Sequence, residues 1–496
     1  MSMVGSMILS LLIAGTAPSR GPAADAPSAV VAAVYRPDTP FPKFMPLWLE
    51  AWALKDGAGE SVQPDTTALG GYVHVYFRNA DSRAVSMRDV LLEGVSLTKA
   101  IASSKEEVIG LRPASIRFSQ VAKADFDRLM AAGEPLWWRL EPESVPAGGF
   151  GELVVRLRRA PAAEQIALTL VTSAARTEAR IETRKPQPRI VGISFQPTPA
   201  RAFLYLRHAE AGVPPTRLLM DGRDVTAQAT IAADPSVDTT PVVIRLSEPV
   251  ARMSFHCFQA VYADGSMAVA AARAWHDDFV YGMWGYTNKG RTPEERAKNC
   301  LLDLTRHNIN AHMYSMGDWG PFIQSNAGYD FLASIGMRMM THAPGNTRNP
   351  LYYFLMDEPD AHDYAVRSLE PALRLGALAQ PLVERSRELR RTDPLTPHLL
   401  NVDNTYKPEN WYTYAQLPDV MCADPYYQEQ LKIVYNARPN WLAQFVKPTY
   451  VYAVATICQS AAAPKPVHII LNAVRHDNKE EPFRFATPAE KRIEVY

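Results

Sequence analysis

Residues 292–314, TPEERAKNCLLDLTRHNINAHMY, decide the fold class. Thr292 suits a helix N-cap, Pro293 the first helical position, and Glu295 the third, where its carboxylate can reach back toward the cap. The helix so opened runs through Cys300, Leu301, Leu302 and Leu304 to Arg306, and Ile309–Tyr314 then reads as a strand. A capped helix feeding a short apolar strand is half of a βαβ unit, and the same grammar repeats on both sides. Upstream, Phe279–Tyr286 is strand-like. Downstream come a short helix over Tyr329–Ile335 and strands at Met337–His342, Tyr352–Met356, His398–Val402, Val420–Ala423 and Val467–Leu471. Helices are expected over Asp363–Arg391 and Pro448–Ala463. Alternation of this kind predicts a parallel sheet curled into a (β/α)8-type barrel over 275–496.

Two departures stand out. Between His342 and Tyr352 there is no room for a helix. Thr487-Pro488-Ala489-Glu490 repeats the helix-opening signature just before Tyr496, so the eighth strand is missing and the barrel is expected to be C-terminally truncated. The segment is also shorter than the roughly 250 residues typical of the fold.

Ahead of this region the pattern is β. Gly71–Phe77, Glu152–Leu157 and Ile166–Val171 are rich in β-branched and aromatic residues, with turn material such as Asn79–Ser82 and Pro146–Gly149 between them. They predict a β-sandwich over 28–186, with one helical insertion near Lys123–Ala132. After Arg184-Lys185-Pro186-Gln187-Pro188 a second block supplies five short strands, Ile190–Phe195, Ala202–Leu206, Arg217–Met220, Val242–Leu246 and Ser254–Phe258. Asp221-Gly222 is a hairpin turn signal. An immunoglobulin-like sandwich over 187–274 follows, so the fold class is two N-terminal immunoglobulin-like β-sandwiches and a C-terminal barrel lacking its last strand. Modules of this kind commonly position a catalytic domain.

Composition narrows the function. Lys plus Arg equals Asp plus Glu, 52 each, which argues against a nucleic-acid binder and against electrostatic docking to an anionic membrane. Cys257, Cys300, Cys422 and Cys458 are far apart without a CxxC, so neither a zinc site nor a disulfide framework is signalled. The apolar run Met7–Gly15 is too short for the ~20 residues of a membrane span and fits the core of a signal peptide over 1–27, ended near Ala24-Asp25-Ala26. The expected location is secreted or periplasmic. A serine elbow, a Walker lysine loop, a dinucleotide glycine motif and HExxH are all absent from the sequence. No cofactor and no metal is expected.

Barrel chemistry gathers where strands end. Those positions hold Trp284, Tyr286 and Asn288, then Tyr314 with Asp318 and Trp319, His342, Asp357-Glu358-Pro359, Asp403-Asn404, Asp424-Pro425-Tyr426-Tyr427, and Asn472. Aromatic faces stack on sugar rings while carboxylates and amides bind hydroxyls, so the ring suits a carbohydrate. Trp284, Trp319 and Trp411 are stacking candidates, and each also suits a core or rim position. His342 reads equally as a hydrogen-bonded wall residue, and Asp424-Pro425 as a turn. The sharpest feature is Phe354-Leu355-Met356-Asp357-Glu358-Pro359, an apolar strand ending in two acids. Such a pair can keep one carboxyl protonated as a general acid, here Glu358; it equally suits the N-terminus of the following helix.

This Asp-Glu-Pro behind tandem β modules resembles glycoside hydrolase family 123 and related barrels. The resemblance implies substrate-assisted cleavage of an N-acetylhexosaminide, with Asp357 stabilising the oxazolinium and Glu358 protonating the leaving oxygen. Asn472-Ala473-Val474-Arg475 offers no acid after the seventh strand, which weakens the two-glutamate retaining alternative. An inverting pair of Glu358 with Asp403 or Asp424 stays open. The rival expectations are a non-catalytic carbohydrate-binding pseudoenzyme and a surface or adhesion protein whose β modules carry the function.

Overall fold

A computed structural model of the chain describes residues 28–39, 54–55, 61–62, 69–109, 112–275, 280–284, 290–314, 320–345, 348–363, 371–403, 412–425 and 449–471. The expected leader and the 487–490 signature lie outside the described residues.

In the first sandwich one sheet has the order Ser28–Pro37, Gly71–Asn79, Phe150–Leu157, Pro135–Glu141. The facing sheet runs Ser144–Val145, Val85–Leu92, Gln165–Thr172, Arg176–Glu182. Every pairing is antiparallel. In chain order this is the immunoglobulin arrangement of strands A, B, E and D against C, F and G. Between C and D the chain inserts the hairpin Ile101–Ile109/Arg112–Arg117 and the helix Lys123–Ala131, where the sequence places one. Gly71–Asn79 is buried on both faces. Val73, Val75 and Phe77 fill the sandwich core, while Tyr72 and Tyr76, on the opposite face by the two-residue period, pack against the rest of the molecule.

The second sandwich repeats the plan. Arg189–Pro197, Ala200–Arg207, Thr239–Arg245 and Ala229–Ile231 form one sheet; Arg223–Asp224, Arg217–Met220, Phe255–Val261 and Met267–Arg273 form the other. Asp221 and Gly222 both take positive φ, 52° and 74°, the type I′ geometry that the Asp-Gly pair favours. Met267–Arg273 is a strand absent from the sequence expectation. Its alanines let the sheet lie close to the first sandwich, where Val269 and Ala271 pack with Tyr76 and Phe150.

The C-terminal region is one parallel sheet of seven described strands in consecutive order: β1 (Gly282–Trp284), β2 (Ala311–Tyr314), β3 (Arg338–Thr341), β4 (Pro350–Phe354), β5 (His398–Asp403), β6 (Val420–Asp424) and β7 (Val467–Ile469). All seven fall within or next to the expected segments, giving a partial barrel. The helix α1 (Pro293–Arg306) joins β1 to β2, with Thr292 accepting from the Glu295 backbone N–H and the Glu295 carboxylate accepting from that of Arg291. Between β2 and β3 comes α2 (Asn326–Ser334), and between β3 and β4 no helix occurs among the described residues. The continuous helix expected over Asp363–Arg391 is not formed. Instead α3 (Pro359–Asp363) and the long α4 (Ala379–Thr392) are separated by a turn at Gly376, which has φ +70° and donates its N–H to the Asp363 carboxylate at 2.7 Å. That left-handed residue ends the preceding helical turn Pro371–Arg374. Before β7 runs α5 (Thr449–Ala462), close to its expected span.

The first sandwich rests on these helices. Tyr72, Leu136, Trp137 and Val154 share one core with Leu382, Val383 and Leu389 of α4 and Val454 and Ile457 of α5. Trp137 also donates its indole N–H to the Thr413 carbonyl at 2.7 Å. Burying a side chain of this size contributes roughly 1.5–3 kcal/mol.

Candidate active site

From Leu351 in β4 through Leu355 and Met356 the chain is buried, and Asp357 and Glu358 emerge half-buried. The ladder to β5 continues beyond the end of β4: Leu355 N–H donates to the Leu399 carbonyl (2.8 Å), Asn401 N–H to Met356 (3.3 Å) and Glu358 N–H to Asn401 (3.0 Å). The acids are thus fixed to the neighbouring strand. Glu358 has φ +45°, a left-handed conformation that costs a non-glycine residue about 1 kcal/mol. Pro359, next in the chain, disfavours the right-handed helical region for it and opens α3.

On β5, Leu399, Leu400 and Val402 are apolar, and Asn401 among them is fully buried. Its side-chain Nδ2 donates to Asp357 Oδ1 at 3.0 Å and to Asp424 Oδ2 at 2.9 Å. One amide nitrogen therefore ties together carboxylates from the ends of β4 and β6, and places the two accepting oxygens within about 6 Å of each other. Asp424 is itself buried. Asn401 is the residue that sequence reasoning missed. Its only signal was an amide inside the otherwise apolar run Leu399-Leu400-Asn401-Val402.

Two thiols register the negative field of this cluster. Burial pushes the Cys422 thiol up, and Asp424 and Asp357 push it further. The Cys458 thiol on α5 is raised by burial and then by Asp360 and Asp424. All four cysteines are buried, and none is in a disulfide. Behind the mouth, Asp363 of α3 is wholly buried and accepts from Tyr414 Oη at 2.7 Å, Gly376 N at 2.7 Å and Leu378 N at 3.3 Å. Burial outweighs these donors and pushes its carboxyl up to about 7. It pins the turn before α4.

His342, just past β3, lies 3.2 Å from the Phe354 carbonyl through Nδ1, and its ring tilts over Phe354. Asp403 pairs in register with Asp424 across β5 and β6. Trp284 and Tyr314 close β1 and β2 in backbone; their side chains and that of Asp403 lie outside the described residues. Tyr286, Asn288, Asp318, Trp319, Asn404, Trp411, Tyr426, Tyr427 and Asn472 also lie outside them. The structure therefore brings Asp357 and Asp424 together around Asn401, with Glu358 next to Asp357 in the chain. That arrangement offers a fixed carboxylate at Asp357, a second acid on a strained turn and a third carboxylate held by the same amide.

The chain matches no protein-family model and no curated protein. Among solved structures it is similar to a chimeric titin Z1Z2-Z1Z2 tandem, at 11% identity over 41% of this chain and 90% of that one, with a TM-score of 0.14. The titin immunoglobulin tandem A164-A165 is 10% identical over 41% and 87% of the two chains, TM-score 0.12. The N-terminal eight immunoglobulin domains of Down Syndrome Cell Adhesion Molecule are 9% identical over 50% of this chain and 24% of that one, TM-score 0.14. Likeness at this level carries no argument about fold or function. The immunoglobulin-like order rests on the strand pairings themselves.

Proposed function

We propose that the protein is an exported glycoside hydrolase that cleaves an N-acetylhexosaminide, with Glu358 as the general acid and Asp357 as the stabilising carboxylate. The observation that carries the reading is the double hydrogen bond from Asn401, which holds Asp357 at the mouth of the parallel strands beside the backbone-strained Glu358. Strain at a residue already singled out by its chemistry points to use of that residue. The resemblance to glycoside hydrolase family 123 supplies the reaction class. In that reaction the acetamido carbonyl oxygen of the substrate attacks C1, and the bond from C1 to the leaving oxygen breaks. Glu358 gives its proton to that oxygen. Asp357 accepts from the acetamido N–H, orienting the nucleophile and balancing the positive charge of the oxazolinium. Water then opens the ring and returns a proton to Glu358. Asp424, tied to the same amide, is assigned to substrate orientation, and the two sandwiches to holding the partial barrel.

The test is hydrolysis of 4-nitrophenyl N-acetylglucosaminide and N-acetylgalactosaminide by the purified chain. We expect cleavage of at least one, no cleavage of the matching glucoside or galactoside without an acetamido group, and a loss in kcat/KM of about 100-fold to 10,000-fold in Glu358→Gln. Sugar binding without hydrolysis in either form would make the protein a carbohydrate-binding pseudoenzyme and contradict the proposal.

A further inference from the structure

A cleft of about 570 Å³ opens where the two sandwiches meet α5 and the start of β7. That volume suits a mono- or disaccharide-sized molecule. Its walls carry Arg36 from the first sandwich, Arg189 and Arg207 from the second and Lys465 from the C-terminal region, against one acid, Asp38. Asp38 is already taken by a bidentate pair with Arg156, at 2.5 and 2.8 Å. Lys465 donates to the Gln416 and Pro418 carbonyls, and burial pushes its ammonium well below the usual lysine range, so the cleft's lasting positive charge is that of the arginines.

The arginines are arranged against their own electrostatics. Arg189 and Arg207 are directly opposite each other on paired antiparallel strands, a position where like charges destabilise a sheet. Arg207 meets Asp238 at 3.1 Å on the surface, and Arg36 donates to the Tyr76 hydroxyl and the Val269 carbonyl. Arg189 is half-buried, and its guanidinium has neither a hydrogen-bond nor a carboxylate partner among the described residues. Burial, then Arg36 and Arg207, pushes its guanidinium down to about 10, so it remains charged at neutral pH. A fold that needed only packing here would not converge three cations from two modules on one opening.

We propose that this cleft binds an anionic, sugar-sized ligand, whose sulfate, phosphate or carboxylate group is taken by Arg36, Arg189 and Arg207. The site is separate from the Asp357 cluster and does not rest on the glycosidase reading. Guanidinium groups match all three oxyanions through forked N–H donors.

Calorimetric titration of the full chain at low ionic strength with sodium sulfate, sodium phosphate and sodium glucuronate tests this. At least one probe is expected to saturate at one site per chain, and the tightest of the three identifies the head group. Arg189→Gln should weaken that probe at least about tenfold, whereas Arg245→Gln, an exposed charge outside the cleft, should leave it unchanged. Without ligand, Arg189→Gln should unfold at the same temperature as the parent or higher, because it removes repulsion. Absence of saturable binding by all three probes, equal weakening by Arg245→Gln, or a fall of several degrees in the unliganded Arg189→Gln protein would each overturn the proposal.

Discussion

Asp363 keeps its carboxyl pushed up to about 7 by burial, although Tyr414, Gly376 and Leu378 all donate to it. Its ordinary value is 3.8. Between these two values the folded protein holds a proton that the unfolded chain has released, so stability falls as pH rises through that window. His74 and His312 act in the opposite sense. Burial lowers each to about 4, so each favours folding as pH rises from there to 6.5. Comparing Asp363→Asn with the parent isolates the carboxyl: between pH 5 and 7 the variant should gain relative stability by about 1 kcal/mol per pH unit, whatever fixed cost it carries. Urea unfolding at several pH values measures it, and parallel profiles would contradict the assignment. At this scale the sequence was uneven. Asp357 and Glu358 were legible because two acids ended a buried strand, but Asn401 was not. A lone amide in a strand shows its role only when the neighbouring strand ends put carboxylates on both sides of it.

Among the elements, α1 was the most legible because its cap is local chemistry. Thr292, Pro293 and Glu295 fix its start with no help from tertiary contacts. Thr292→Ala should therefore cost about 1 kcal/mol in urea unfolding and Thr292→Ser much less; equal losses would show that the hydroxyl does not cap the helix. The parallel strands were legible for a similar reason, as short apolar runs bracketed by helix starts. Met267–Arg273 was not. Met-Ala-Val-Ala-Ala-Ala-Arg has few β-branched residues, and it is a strand because the neighbour Phe255–Val261 pairs with it along its whole length and a second sheet lies close to its small side chains. The break between α3 and α4 was hidden too, since Gly376 takes its left-handed turn around a carboxylate thirteen residues earlier in the chain.

Across the whole molecule, the order of modules was readable but their mutual packing was not. Gly71–Phe77 was legible as a strand rich in aromatic and β-branched residues, but its burial on both faces depends on what the rest of the molecule packs against Tyr72 and Tyr76. The junction is held by apolar contact and by buried charge. Burial alone would raise the Asp419 carboxyl, yet Arg390, His398 and Arg273 hold it well below the usual carboxylate range. Arg390 donates to it at 2.7 Å, while Arg273, from the second sandwich, binds Glu141 of the first. Among the described residues no helix is long and apolar enough to cross a membrane. The sandwiches thus brace the sheet whose strand ends carry Asp357, Glu358 and Asp424, of which Asp357 is the proposed stabiliser and Glu358 the proposed acid. The most direct measurement is kcat/KM for Glu358→Gln and Asp357→Asn on two N-acetylhexosaminides, one with a 2,4-dinitrophenyl leaving group that departs without a proton and one with an unactivated sugar. Glu358→Gln should lose at least about 100-fold on the unactivated substrate and less than about tenfold on the dinitrophenyl one, while Asp357→Asn loses similarly on both. Equal losses on the two substrates in Glu358→Gln would show that Glu358 is not the general acid.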